Sequence, residues 1–600
     1  MVERVFWRKL AGVFLGLLVL PATHAANDLT LTATSLAPEG EWKGRVAPLI
    51  ITATNPGPNR AGQIVVRSNT YQMRYPMDLA QGAQKKVQVW LPTELGNRPT
   101  VAFESANYRV QIEPDPIELG SSWGGNDTRL ILGISDNETD IRAWRTDNVV
   151  SLGDGDAPPA PTERTNLRAL TQGVKPEDAP DSWLAYHGLD YVVLGDGADR
   201  LSNDAVKALQ QAVVAGKTLV VPTGASAPIL SDPRWQTWWP ATAGEPVARE
   251  PKWAASFGLQ PGPLTERPLT VTNGEEVLNG FAVVGKRGEG RIFLLGSNPF
   301  EPGNAQRFPQ GEIIRKLNSV RETDRNAGFS SLDDVSGSNM EVKPPSFALL
   351  LGILLTYIFI VGPLNFFVLH RLNRRELIWT TSPLISLLFA GLLFAQIRMP
   401  ATAGTASVLV GMATVDPLSQ EMQVMGRQRL YFGQAQQGDW KLDGIETMWP
   451  VRSDNPMAAF MNSQSDLPAE LIDTGTLEAK GVTSNALQIR QFAFAQTLPW
   501  DPQSLVLERS QGKATLVNRT AFQLDRVQIW SGREYMTLTN LQPGERGELK
   551  VRKVEARTPT QPAGSFLALM TPDAKTFGVG GATSVKGEIS LAGRLLEVQK

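Results

Sequence analysis

The sequence predicts a multidomain chain, part α/β and part all-β, interrupted by a transmembrane helical hairpin. Three observations predict it. Two long apolar runs lie between Phe347 and Ile397, on either side of the basic stretch His370-Arg371-Leu372-Asn373-Arg374-Arg375-Glu376. Short period-two runs broken by Pro, Gly and Asn fill residues 26–117 and 400–600. Between 118 and 340, solid apolar runs bounded by Gly or Asp flank a helical pattern.

The hairpin fixes where everything else lives. Residues 347–369 carry no formal charge, and at 1.5 Å per residue they span about 34 Å, enough for a hydrocarbon core of about 30 Å. Residues 378–397 form the second uncharged run. A buried hairpin in a soluble core and a re-entrant loop are the competing readings. Three arginines in the tip, each costing about 3 kcal/mol at the bilayer centre, argue against a tip held in lipid. Arg371, Arg374, Arg375 and Glu376, with Trp379 just beyond, therefore form a cytoplasmic loop over 370–377 and its aromatic flank. Gly362 and Pro363 in the first helix and Pro383 in the second are expected to loosen or kink them. Asn365 is expected to bond the sister helix or a membrane partner.

At the N-terminus, Arg4, Arg8 and Lys9 precede the apolar run Leu10 to Leu20, then Pro21 and Thr23-His24-Ala25. This reads as a signal peptide over 1–25, with an uncleaved anchor as the alternative. Since Lys and Arg stay on the cytoplasmic side, the domains before and after the hairpin are both expected outside the cytoplasm, on the periplasmic face of a bacterial inner membrane.

Composition excludes several kinds of chemistry. The chain has no cysteine, hence no disulfide and no thiolate nucleophile. A formal net charge of −2 with interspersed signs gives no case for nucleic acid. Of three histidines, His24 lies in the signal region and His370 in the loop, leaving only His187 outside.

Residues 26–117 alternate in runs such as Leu49-Ile50-Ile51-Thr52-Ala53 and Lys86-Val87-Gln88-Val89-Trp90, separated by turns like Asn55-Pro56-Gly57-Pro58-Asn59. That pattern predicts an immunoglobulin-like β-sandwich. From 118 to 340, Arg129 to Ser135, Tyr191 to Asp196 and Thr218 to Thr223 read as strands covered on both faces. Between the last two, a helix over 202–215 has Ser202 as N-cap and Gly216 as its stop, giving a βαβ unit. Residues 400–600 return to β grammar, one or two exported domains, with no internal repeat apparent.

This order of parts resembles a group of bacterial envelope membrane proteins whose central domain is similar to the class I glutamine amidotransferase fold. The likeness is strongest where Val361-Gly362-Pro363-Leu364-Asn365-Phe366-Phe367-Val368-Leu369 runs into Arg374-Arg375-Glu376-Leu377-Ile378-Trp379. The α/β part, Asp190 to Asp196 and Gly216 to Val221, resembles the amidotransferase core less specifically. The resemblance implies neighbours such as MoxR-type ATPases and von Willebrand factor type A membrane proteins. An active amidotransferase needs a cysteine thiolate and a histidine base, and this chain has no cysteine.

The remaining site candidates each have a bland counterpart. Ser226 follows the third core strand, and with His187 as base and Asp196 as orienter it would make a serine hydrolase; Ala225-Ser226-Ala227-Pro228 is equally ordinary turn chemistry. Asp136, Asp154 and Asp156, near strand ends, are metal-ligand candidates, although no full calcium loop is present. Trp235, Trp238, Trp239 and Trp253 either present an aromatic surface for sugar rings or close a core.

The expectation is a non-enzymatic inner-membrane envelope protein acting in assembly or ligand sensing. It needs no cofactor and has the bilayer and membrane or envelope proteins as partners. A carboxylate-dependent or serine hydrolase on an envelope substrate and an accessory subunit of a transport complex are the alternatives.

Overall fold

The computed structural model describes residues 28–599 except 45, 69–70, 93–98, 115–117, 120–125, 138–140, 143, 151–165, 260–261, 300, 302–303, 305–306, 309–310, 323–346, 402–404, 433–434, 451–469, 485–487, 511–512, 532–533, 554–564, 573 and 578–581. The expected signal peptide and the candidates Asp154 and Asp156 lie outside the described residues.

The architecture is mostly β. In the N-terminal sandwich, β1 (Val46–Asn55) pairs antiparallel with Thr30–Ser35 and with β4 (Ala83–Pro92). Leu49, Ile51 and Ala53 on β1 point inward while Thr52 and Thr54 are half-buried, the alternation of a sheet with one covered face. The facing sheet holds β2 (Arg60–Ser68), β3 (Tyr71–Leu79), Thr100–Ser105 and Tyr108–Ile112.

That second sheet does not end at the domain boundary expected near residue 117. Glu470–Asp473, from beyond the apolar helices, adds to β3 in parallel, with Leu471 opposite Met73 and Ile472 opposite Arg74. Gln72 Nε2 donates to Glu470 Oε1 at 3.0 Å, and Arg74 pairs with the same carboxylate. Leu477–Ser484 and Gln436–Leu442 extend the sheet further.

The middle region is built on an eight-stranded sheet. Five strands run parallel in the order β6 (Asn166–Val174), β5 (Asn126–Ile134), β7 (Tyr191–Leu194), β8 (Thr218–Pro222) and β10 (Gly290–Leu295). β9 (Ala282–Arg287) pairs antiparallel with β10 across a two-residue turn whose first residue, Gly288, has φ +56°. Helix α1 (Asn203–Val214) covers one face; Ser202 caps it by accepting from Ala205 N at 3.1 Å, and Gly216 at φ +107° follows its end. The other face is closed by Trp144, Trp253, Phe281, Phe308 and α2 (Glu312–Glu322). Burial on both faces explains why these strands read as solid apolar runs.

Two antiparallel helical arms follow. The first comprises α3 (Phe347–Phe359), a π-helical turn over Ile360–Leu364 that contains Pro363, and α4 (Asn365–Arg371); the second is α5 (Ile378–Ala401). Leu351–Arg371 is long and apolar enough to cross a membrane. The widened turn accommodates Pro363, which has no N–H to give the helix ladder. Pro383, by contrast, sits within α5 without breaking it. The bend closes as a Schellman motif: Arg374 N bonds Leu369 O and Asn373, at φ +52°, bonds His370 O.

The C-terminal region forms a nine-stranded sheet in which β11 (Thr405–Val415) pairs with β12 (Glu421–Phe432) and, in parallel, with the late strand Ala582–Arg594. A four-stranded sheet including β13 (Lys513–Asn518) accompanies it.

One corner recurs in both β regions. Asn55 ends β1 fully buried and donates its Nδ2 to Pro58 O, Leu79 O and Ala80 O at 2.7, 3.2 and 3.2 Å. Asn518 ends β13, also fully buried, and donates to Phe522 O, Leu541 O and Gln542 O at 2.9, 3.2 and 3.3 Å. Each asparagine also accepts, through its own carbonyl, from a left-handed glycine at 2.7 Å, Gly82 or Gly544. The shared device escapes a sequence scan because it fixes only an asparagine and a distant glycine. Asn518→Ala strips this hub from three carbonyls and is expected to cost about 3 kcal/mol in denaturant unfolding followed by tryptophan fluorescence; a loss within about 0.5 kcal/mol contradicts the assignment.

Candidate functional site

In an open parallel sheet, ligands favour the crevice beyond the carboxyl ends of the strands where the winding reverses. Here the chain leaves β5 for β6 on one side and later returns to β7 on the other, so the reversal lies between β5 and β7. Backbone bonds close its floor: Gly195 N to Ile134 O and Asp136 N to Asp196 O, both at 2.9 Å. Gly195 is required there because a Cβ would stand 2.7 Å from the side chain of Ser135. The cleft above is lined by Trp144, Asp196, Asp199, Ser226, Ala227 and Asn298, residues that follow different strands of the same sheet.

The loop after β8 forms one wall. Ala225 N donates to Glu301 Oε1 at 2.6 Å, while Arg267 donates through Nε to Gly224 O at 2.6 Å and through Nη2 to Ala225 O at 3.0 Å. A Cβ at Gly224 would collide with the Glu301 carboxylate. Burial raises the Glu301 pKa and the charge of Asp196 adds to the rise, against the Ala225 N–H and Arg267. An amide that would otherwise be available to an oxyanion is thus occupied by a carboxylate.

The serine triad is not assembled. Ser226 and Asp196 line the cleft beyond the carboxyl ends of β8 and β7. His187 precedes β7, at the opposite end of the parallel sheet, and is held neutral chiefly by burial, with Lys217 adding to the effect. Gly188 beside it packs on the Trp42 ring. The sequence supplies the three residue types a triad needs; strand direction separates them.

The other candidates are placed as follows. Asp136 pairs with Arg200 on the exposed rim. Among the described residues, no group of three or more His, Asp or Glu is arranged to hold a metal. Trp235, Trp238 and Trp239 are 0, 5 and 6% exposed, and Trp235 stacks on Trp239 at 5.1 Å, so they close a core and offer no surface for a sugar ring. Trp253 is 1% exposed among Phe257, Phe281 and Phe308.

Within the helical pair, Asn365 is 8% exposed and donates to Thr381 Oγ1 at 3.0 Å and Ser382 Oγ at 3.3 Å. Thr381 Oγ1 donates back to Asn365 Oδ1 at 3.1 Å, and Tyr357 and Ser386 share a bond of 2.9 Å. Gly362 lies beside Pro363 in the π turn. At the bend, Arg375 Nε donates to His370 Nδ1 at 2.9 Å; Arg371, Arg374 and Glu376 are exposed, and Trp379 is 85% exposed.

Sequence reading missed Glu301, Arg267, Asn298 and Trp144. Asn298 follows the buried run ending at Ser297, so the strand-end rule that points to Asp136 also reaches it. Glu301 and Arg267 gain their roles only through the fold, each meeting the 224–225 loop from a distant segment.

A sequence family described as a domain of unknown function, DUF8726, matches residues 41–112. No curated protein matches the chain. Among solved structures, the chain is similar to an exo-β-1,4-mannosidase from Opitutaceae bacterium strain TAV5, with 10% identity, a TM-score of 0.19 and coverage of 34% of this chain and 36% of that one. The chain thus spans about a third of the mannosidase's length. The yeast delta-COP-I mu-homology domain complexed with a Dsl1 WxWxV peptide is also similar, with 10% identity, a TM-score of 0.18 and coverage of 32% and 96%.

The elevated pKa of Glu301 has a signed consequence. In the interval between its ordinary and its raised pKa, the folded state holds a proton that the unfolded state has released, so its contribution to stability falls as pH rises. Glu301→Gln is therefore expected to flatten that part of a melting-temperature profile taken from pH 4 upward; an unchanged profile contradicts the assignment.

Proposed function

We propose that this chain is a non-enzymatic, membrane-anchored binding protein of the bacterial envelope. On this reading the α3–α5 hairpin crosses the inner membrane twice and the folded body lies on its periplasmic face. The amidotransferase-like domain offers the carboxyl-edge cleft as a ligand site, and the body works in assembly or ligand sensing with membrane or envelope partners.

The pairing of Met73 and Arg74 with Leu471 and Ile472 carries the proposal. Strands hydrogen-bonded in one sheet lie on one side of a bilayer, so a membrane segment between them in the chain must cross an even number of times. Two antiparallel helices with a basic, exposed bend supply two crossings, and arginines favour the cytoplasmic side. The polar groups Tyr357, Asn365, Thr381, Ser382 and Ser386 bond across the seam. Leu355, Phe359, Phe367, Leu384 and Leu387 are exposed, a surface suited to lipid.

The cleft supports binding better than hydrolysis. Among the described residues, His187 lies at the opposite end of the parallel sheet from Ser226, and the amide of Ala225 is taken by Glu301. Ser226→Ala and His187→Ala are accordingly expected to leave cellular function intact at normal protein levels; loss of function in both variants would favour catalysis, since His187 lies away from the cleft. Alkaline phosphatase fused after residues 340 and 450 should be active and after 373 inactive. Activity at 373, or none at either outer junction, contradicts the topology.

A further inference from the structure

Resting on the proposed binding role of the cleft, we propose that the chain contains a built-in relay, in which occupancy of the cleft is felt at the membrane hairpin through β10, the Gly288–Asp416 bond and β11. Four connections compose it. First, the chain leaving β10 reaches the cleft: Asn298 lines it, and Glu301 holds the 224–225 loop that forms its wall. Second, β10 is a stiff element, with Ile292, Phe293, Leu294 and Leu295 all fully buried between β8 and β9.

Third, the turn that begins β10 is seated on the C-terminal region. Gly288 N donates to Asp416 Oδ2 at 2.7 Å, and Asp416, 1% exposed, also accepts from Leu418 N at 2.9 Å. Arg594 Nη1 donates to Lys286 O at 2.9 Å on the same turn, and Lys286 Nζ approaches Ser565 Oγ at 3.4 Å. The turn cannot drift independently of α1, because Glu289 N bonds Val214 O at 3.0 Å and a Cβ at Gly288 would lie 2.5 Å from that carbonyl. Fourth, Asp416 directly follows β11, and β11 begins four residues after Ala401, the last residue of α5. β11 is itself held on both sides, by β12 and by the parallel strand ending at Arg594.

A relay needs an element with two discrete arrangements that both ends can bias. We assign that role to the seating of the β9–β10 turn on Asp416, whose buried carboxylate accepts the Gly288 N–H and, on this proposal, takes water in its place in the second arrangement. Other contacts join the same two regions, as where Glu446 accepts from Ser182 Oγ and Trp183 Nε1, both at 2.6 Å. These join the 3-10 turn before β7, whose far end also reaches the cleft, to Ile445–Pro450, which is separated from β11 by β12 and Gln488–Pro499. They serve as controls.

Amide hydrogen exchange on the full-length protein in nanodiscs tests the relay without a ligand, using Ser226→Trp to fill the cleft. It reads coupling whichever way the hairpin faces, so failure here is separable from failure of the topology. Ser226→Trp is expected to change exchange at 286–290 and along 405–415 by about tenfold, and the change along 405–415 should vanish when Asp416→Ala is added. Glu446→Ala added instead should leave it in place. A Ser226→Trp effect confined to the cleft loops, or one that persists in the Asp416→Ala background, overturns the proposal. If Asp416→Ala also loosens β5, Asp416→Asn replaces it and the same outcomes decide.

Discussion

Met73 and Arg74 share a sheet with Leu471 and Ile472, and every larger feature of the chain is constrained by that pairing. The residues between them include the apolar helices, so whatever medium the helices enter, the chain must return to the body it left. Two strand pairs of this kind contribute on the order of 1 kcal/mol each. They do not stand alone. Arg74 and Gln72 meet Glu470, Lys43 Nζ binds Asp190 Oδ2 at 2.6 Å, and Lys207 Nζ binds Glu421 Oε1 at 2.8 Å. One apolar cluster runs from Leu49 and Trp90 through Leu209 to Phe494 and Leu591, joining the three β and α/β parts.

The joints between those parts are polar as well as apolar, which bears on how firmly they hold. Asp416 is almost wholly enclosed, and burial raises its pKa against the N–H groups of Leu418 and Gly288 and the charges of Arg594 and Arg287. Arg287 is fully buried beside it, donating to Trp238 O at 2.9 Å and Lys286 O at 3.0 Å. Desolvating such groups offsets much of their mutual attraction, so they define one docking geometry more than they add stability.

Local grammar was legible in the sequence. Ser202 and Gly216 bound α1, solid apolar runs marked the parallel strands, and the charge-free runs marked the helices, because each signal depends on neighbours within a turn or two. Non-local facts were not. Periodicity says which face of β3 is buried but nothing of which strand joins its edge, so residues 470–473 were assigned to a separate region. The tryptophans looked the same whether stacked inside or displayed outside. His187 and Ser226 are named as a possible pair by residue type alone, which carries no strand direction, and Glu301 stays invisible because its partner, Ala225, lies in another loop.

A chain without cysteine permits a direct test of the central pairing. With Met73→Cys and Leu471→Cys in the full-length protein expressed in bacterial cells, two thiols are placed at register partners, and opposed strand residues lie within disulfide reach. Cross-linking without added oxidant, seen as a mobility shift on a non-reducing gel, is the predicted result, since it requires both segments to be adjacent and on the oxidising side. Two free thiols that react only with a membrane-permeant maleimide would contradict the account.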